Sequence, residues 1–259
     1  MIITTSNSAP GDHPACPSGS IILAAVDVEW TKNYRVRNGN IPFCYSVAWL
    51  TLPVSGTPAD LDAASFSYLS AYVDSPMETQ DLISSADDTL AHVLHHAALI
   101  AGHQLCSDLA VLSRAAGRLL QAATELHAAW QRRRLPAGAG PRIIDTRYDI
   151  GHLLSGTSRR LVDVCADLDL DVTQPELRGT SMTALHRHWT ETREVSAREK
   201  ISVLNLRHSL STALAAAHAA EGGHWKPGLN VNQKLAAGLG DAFAWTQAPA
   251  FRALLEHHQ

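Results

Sequence analysis

Residues 21–29 read IILAAVDVE, and the fold class follows from how this stretch is read. The run from Ile21 to Val26 is apolar, partly β-branched and too brief for a helix, so it reads as a buried strand. Alternate residues of a strand point to the same side, which puts the carboxylates of Asp27 and Glu29 on one surface immediately beyond the buried run. Two like charges so placed repel unless a cation lies between them. A solvated strand end would carry the same two residues.

Further along, FCYSVAWLTL at 43–52 is a second strand, reached through the turn-like RNGNIP at 37–42. A helix is expected from about Ser85 to Ala97, then the strand-like ALIAGH at 98–103. A further helix runs from about Ser107 to Leu120, with continuation to Arg134. After the loop PAGAGP at 136–141 come IIDT, a strand or turn, and RRLVDVCADL at 159–168, a short amphipathic helix. A long helix spans about Ser196 to Ala220 and is closed by the Gly and Pro cluster GGHWKPG. The order of strands and helices predicts an α/β domain over residues 21–220. Residues 1–20 are expected to be a flexible tail and residues 221–259 a small helical extension.

Composition bounds the function. With 46% hydrophobic and 18% charged side chains among 259 residues, the chain can bury a sizeable core. A formal charge of −4 excludes the strongly basic surface of a protein that coats duplex nucleic acid, though not a local basic path. The four cysteines form no C-x-x-C pair, so neither a zinc ribbon nor a redox motif is present, and reduced thiols in a cytoplasmic protein fit best. There is no signal-peptide pattern at 1–20 and no apolar stretch approaching the roughly 20 residues of a membrane span. The 14 histidines are the unusual feature, because neutral imidazole ligates metals and titrates near neutral pH.

A second acidic element follows at 102–109, GHQLCSDL, where a strand passes through a glycine into a helix whose first turn holds Asp108. Ser107 or Asp108 as a helix cap is the plain alternative. Taken in order, D-x-E on the first strand and G-H-Q-x-x-x-D at the later junction resemble the DEDD family of 3′-to-5′ exonucleases on the ribonuclease H-like fold. The second motif of that family is G-H-N-x-x-x-D, with Gln104 here in place of Asn. The resemblance covers roughly residues 21–220, including IIDT, which looks like the family's "DT" strand. It implies a ribonuclease H-like mixed sheet flanked by helices, with Asp27, Glu29 and Asp108 as the first three metal-binding acids.

The third motif departs from the family. Against the H-x-A-x-x-D form, residues Arg178 to Thr183 lack both the His and the acid. Against Y-N-x-x-D within a long helix, Leu204-Asn205-Leu206-Arg207-His208 matches in frame, with Leu204 for Tyr and His208 for the acid. On a helix of 100° per residue, Val203, Leu206, Leu210, Leu214 and Ala217 make one apolar stripe. His208 lies opposite, with Ile201, Leu204, Thr212 and Ala215. It is read as a ligand or site residue, an exposed residue or a core residue. The resemblance implies two divalent ions about 3.5–4 Å apart. Asp27 would bridge them, Glu29 would serve the ion that holds the attacking water, and Asp108 the other. His208 would then be a neutral ligand or general base. Imidazole suits Mn²⁺ better than Mg²⁺, so Mn²⁺ is the expected preference, with activity falling as pH drops through about 6.5. A site without the second metal is the alternative.

Beyond the D-x-E, residues 30–37 (WTKNYRVR) interleave aromatics and cations as single-strand binders do, making Trp30, Lys32, Tyr34 and Arg35 candidate nucleic-acid contacts. An ordinary β-hairpin surface is the alternative. Arg132, Arg133 and Arg134 read as a solvated helix end. His95-His96, His186-x-His188 and His257-His258 lack acidic or cysteine partners at ligand spacing and are taken as surface residues. The expected function is metal-dependent 3′-to-5′ hydrolysis of single-stranded DNA or RNA ends or short oligonucleotides. The alternative is a degenerate nuclease fold that binds nucleic acid or a protein partner.

Overall fold

A computed structural model describes residues 1–8, 13–31, 39–54, 57–136 and 140–256 of the chain. Its main sheet has six strands: β1 (Ile2–Thr5), β2 (Ser20–Trp30), β3 (Pro42–Pro53), β4 (Ser67–Tyr72), β5 (Leu99–Gly102) and β6 (Arg142–Asp145). Their order across the sheet is β1-β4-β3-β2-β5-β6. Strands β2 and β3, β3 and β4, and β1 and β4 pair antiparallel, whereas β2, β5 and β6 run parallel. The protein is therefore an α/β fold with a mixed sheet flanked by helices, an arrangement compatible with the ribonuclease H-like class.

The two faces of β2 sort by parity, as a strand buried on both sides requires. Ile22, Ala24, Val26 and Val28 enter one core with helices α1 (Thr79–His96), α2 (Leu105–Ala116) and α3 (Gln121–Arg132). Leu23 and Ala25 enter the other, with α4 (Leu161–Asp167) and α6 (Val195–Ala219), the latter preceded by α5 (Met182–Thr192). Asp27 and Glu29 continue the odd-numbered face, the one covered by α6.

Several expectations are corrected. The chain start is not a tail throughout: Ile2–Thr5 pairs with β4 as the edge strand, and Ile2 and Ile3 pack on the core. Strand β4, SYLSAY, escapes a hydrophobicity reading because Ser67, Ser70 and Ala71 interrupt its larger side chains. The expected helix to Arg134 breaks at Gly117, which takes φ 63° beyond the end of α2, and α3 begins anew at Gln121. The C-terminal segment is helical, with α7 (Val231–Leu239) and the short α8 (Pro249–Arg252). It is not an appendix, since Val231, Leu235, Leu239, Phe243 and Phe251 are buried in the same core as α6. None of the described helices is long and apolar enough to cross a membrane, and all four cysteines are free thiols.

Candidate metal centre at the strand ends

In parallel strands β2 and β5, Val26 pairs with Gly102, and Gly102 pairs in turn with Asp145 of β6. Strands β5 and β6 therefore end side by side at the level of Val26, while β2 runs on to Trp30, so Asp27 and Glu29 lie on β2 just beyond the carboxyl ends of its parallel neighbours, near His103 and Asp145, where open α/β sheets bind ligands. A register shift between Glu29 and Trp30 ends the regular pairing directly after the second acid.

The turn from β5 into α2 is shaped by two backbone demands. A Cβ on Gly102 would lie 2.7 Å from the Leu105 Cβ, so only glycine permits the close turn. Gln104 sits at φ 67°, a left-handed conformation that Asn tolerates better. Asp145, fully buried, accepts the backbone N–H of Gln104 (2.9 Å) and of Leu105 (3.0 Å) as well as Trp130 Nε1–H (2.8 Å). A carboxylate from β6 thus does the helix-capping that the plain alternative assigned to Ser107 or Asp108. Burial pushes the Asp145 pKa upward, against the pull of these donors.

Freed from capping, Asp108 is buried, and its Oδ2 has no hydrogen-bond partner. Burial, then the charges of Asp27, Glu29 and Asp145, push its carboxyl well above the usual range. A buried acid with an orphaned oxygen in the field of three further carboxylates is the arrangement a cation would relieve.

Helix α6 brings the remaining groups. Asn205 Nδ2 donates to Asp27 Oδ2 at 2.6 Å, and its own Oδ1 accepts the Cys44 thiol at 3.3 Å. The thiol is held protonated by burial and by the charges of Glu29 and Asp27. Ser46 Oγ donates to the Asn205 carbonyl at 3.0 Å, fixing α6 against β3. One turn on, His208 Nδ1 lies 3.2 Å from Glu29 Oε1 and 3.5 Å from Asp27 Oδ2. Among the described residues, Asp27, Glu29 and His208 form a group whose ligand atoms all lie within 4.8 Å of one another. Asp108 is not part of it: where the resemblance implies four ligands and two ions, three ligands converge among the described residues, with Asp108 a third acid outside the group.

Electrostatics change the expected state of His208. Burial lowers its pKa, but hydrogen bonds and Coulomb attraction from Asp27 and Glu29 outweigh that and raise it to about 10. Without a metal the ring is an imidazolium at neutral pH, so the expected titration near 6.5 is displaced upward by the paired acids. On its far side, Gln174 Nε2 lies 3.1 Å from His208 Nε2. The Gln174 amide group donates only to a ring whose Nε2 is bare, and turns its oxygen to an Nε2–H, whether the ring is charged or offers Nδ1 as a lone pair. The placement of His208 off the apolar stripe is misleading as geometry, because α6 is buried nearly all round: Ile201, Leu204, Thr212 and Ala215 are fully buried beside it.

The neighbouring Arg207 points the other way. It donates through Nη1 and Nη2 to both carboxylate oxygens of Glu176, each at 2.7 Å, with both side chains at 0% exposure. Asn232 Oδ1 accepts from Arg207 Nε (2.6 Å), and Trp245 Nε1 donates to Glu176 (3.0 Å). Glu176 is two residues from Gln174, so the C-terminal segment braces the stretch that carries Gln174 to His208.

Of the expected nucleic-acid contacts, Trp30 ends β2 and packs partly on the core, whereas Lys32, Tyr34 and Arg35 lie outside the described residues. Arg133 and Arg134 both bind Asp149, and Arg133 also lies 4.0 Å over the Trp130 ring. His186 is not a surface residue: it stacks on Phe43, bonds the Tyr72 hydroxyl at 2.6 Å, and burial lowers its pKa to about 4. His188 is exposed and pairs with Glu194. His257 and His258 fall outside the described residues. His103 is engaged on both sides, by Thr146 Oγ1 at 3.0 Å and the Arg159 backbone, and burial lowers its pKa to about 4. Asn205 and Asp145 are the residues that motif reading passes over. Asn205 stands in frame as the Asn of Y-N-x-x-D, and Asp145 as the acid of the "DT" strand.

No protein-family model and no curated protein matches this chain.

Proposed function

We propose that the protein is a divalent-metal-dependent exonuclease that hydrolyses phosphodiester bonds from the 3′ ends of single-stranded nucleic acid or short oligonucleotides. The observation that carries this reading is the convergence of Asp27 and Glu29 of β2 with His208 of α6, together with the buried, partnerless oxygen of Asp108, whose carboxyl feels the charge of both acids. A bound Mn²⁺ or Mg²⁺ would supply Lewis-acid stabilisation of the phosphorane and a water of lowered pKa. The chain's own part is positional. Asp27 is held at one oxygen by Asn205, Glu29 faces His208, and His208 offers Nδ1 once its proton has left to solvent. Two carboxylates and an imidazole form a donor set that suits Mn²⁺ better than Mg²⁺.

A second reading is favoured by the charge state of His208. Its imidazolium already pairs with both acids and offsets one of their two charges, which fits a nuclease-fold protein that binds nucleic acid or a protein partner without hydrolysis. Incubation of an end-labelled single strand with Mn²⁺ or Mg²⁺ separates the two. Stepwise shortening from the 3′ end that Asp27→Ala abolishes supports the exonuclease. Retained binding without cleavage in either metal supports the second reading.

A further inference from the structure

At one edge of the sheet, β6 runs from Arg142 to Asp145 and leads the chain into a turn beside the acidic centre. That turn is tightly held. Asp145 accepts the backbone N–H of Arg147 (3.1 Å), its own N–H donates to Asp149 (2.9 Å), and Arg134 Nη2 donates to the Tyr148 carbonyl (2.9 Å). The side chains displayed there alternate cation and ring. The Arg147 guanidinium lies 5.9 Å from the Tyr148 ring centre, and that residue is 42% exposed and meets Trp130 edge-on at 6.2 Å. From Tyr148 a cavity of about 300 Å³ follows the β6 edge, with Arg134, Arg142, Ile143, Ile144 and His152 in its wall.

We propose that this stripe is the path of a single nucleic-acid strand: its end reaches the acidic centre past Arg147, a base stacks on Tyr148, and the preceding phosphates follow β6 to Arg142. The path rests on the reading of the acidic centre as the place that holds a strand end, and it adds where the rest of the strand lies. Arg147 Nη1 donates to the Arg159 carbonyl (2.8 Å), the same backbone that engages His103 at the end of β5. The charges of Asp27 and Arg147 act on the His103 ring in opposite senses, so acid and guanidinium lie within electrostatic reach of one side chain. Among the described residues, neither Arg142 nor Arg147 has an acidic partner, whereas Asp149, the acid of the cavity, is taken by Arg133 and Arg134. A guanidinium without a carboxylate is suited to a phosphate, which it meets with two parallel N–H donors. At about 3.3 Å per strand residue, Arg142 stands roughly 10 Å behind Asp145, so it serves a phosphate upstream of the reacting one. An exposed ring between cations takes unpaired bases, each of which offers a face for stacking. Local positive charge of this kind lets a chain of net charge −4 hold an anionic strand.

The test is fluorescence anisotropy of a short fluorescein-labelled oligothymidylate with the full chain in EDTA, so that no cleavage intervenes. Arg142→Gln and Arg147→Gln should each weaken binding about five- to tenfold and flatten the slope of log affinity against log salt by about 0.7, one phosphate contact apiece. Tyr148→Ala should weaken binding roughly tenfold, while Tyr148→Phe keeps the stacking face and binds as wild type does. Arg187→Gln removes an exposed charge from α5, which packs beside β4 away from β6, and should leave binding unchanged. A wild-type chain that does not bind the strand, path variants that bind as tightly as wild type, or an equal loss in Arg187→Gln overturns the path. Binding that depends on these residues, with no shortening of the strand in Mn²⁺ or Mg²⁺, upholds the path and removes the exonuclease reading alone.

Discussion

His208 on α6 places Nδ1 3.2 Å from Glu29 Oε1 on β2, joining a helix late in the chain to the strand at the centre of the fold. The pair sets the charge of the site, because the imidazolium and a metal ion compete for the same carboxylate oxygens. The consequences are measurable in protein free of metal and in protein titrated with it.

A group whose folded pKa is raised adds stability that is fully present below its unfolded value and is lost as pH rises through the folded value. For His208 the window runs from about 6.5 in the unfolded chain to about 10 in the folded one. Metal-free wild type should lose more thermal stability between pH 7 and 10 than His208→Gln does, by several degrees in Tm on the order of magnitude expected for a domain of this size. Parallel pH profiles for the two proteins would rule out the ion pair as a source of stability.

Metal binding must expel that proton. The apparent Mn²⁺ affinity of wild type should therefore rise about tenfold per pH unit between pH 6 and 9, with proton release seen as buffer-dependent heat. His208→Asp should lose the steep slope and shift preference from Mn²⁺ towards Mg²⁺. Equal metal preference in both proteins would take His208 out of the ligand set.

Asn205 holds Asp27 at 2.6 Å and is itself oriented by the Cys44 thiol. Asn205→Ala should weaken Mn²⁺ binding roughly 10- to 100-fold, as loss of a ligand-orienting partner does. Asn205→Gln, with a longer reach, should not restore it. An Asn205→Ala protein with wild-type metal affinity would make the residue a packing element only.

The buried pair of Arg207 and Glu176 is bidentate and out of water. Glu176→Ala should destabilise the fold by about 3–5 kcal/mol, because it strands the guanidinium. Replacing both by apolar residues, Arg207→Met/Glu176→Leu, should recover most of that loss, as chemical denaturation would show. If the pair also positions Gln174 against His208, the double replacement should shift the pH midpoint of Mn²⁺ binding even where stability returns.

At the β5–α2 turn, Gln104 has φ 67° with a side chain poorly suited to it. Gln104→Asn or Gln104→Gly should stabilise by roughly 0.5–1 kcal/mol. Gly102→Ala should destabilise through the 2.7 Å approach to Leu105. Unchanged denaturation midpoints for all three would remove the backbone basis for this turn.

Much of this arrangement is legible along the chain where period and chemistry coincide. The run IILAAVDVE gives strand, face and both acids together, and GHQLCSDL marks its own turn by the glycine. What sequence hides is long-range. SYLSAY pairs as an interior strand on backbone hydrogen bonds that its mixture of serines, alanine and larger side chains does not advertise. Asp145 caps α2 from another strand, and no local signal at Gln104 names its partner. The charge of His208 depends on two carboxylates 179 and 181 residues away, so its ordinary pKa is no guide. The C-terminal helices read as an appendix because the buried Arg207 they surround looks, in sequence, like any surface arginine.

The decisive measurement is a crystal structure of the protein soaked with Mn²⁺ above neutral pH, read by anomalous scattering. The predicted result is a Mn²⁺ peak bound to a carboxylate oxygen of Asp27, one of Glu29 and Nδ1 of His208, with Asn205 still hydrogen-bonded to Asp27. A soaked crystal with no anomalous peak at these residues, and His208 still seated between the two carboxylates, would contradict the metal centre.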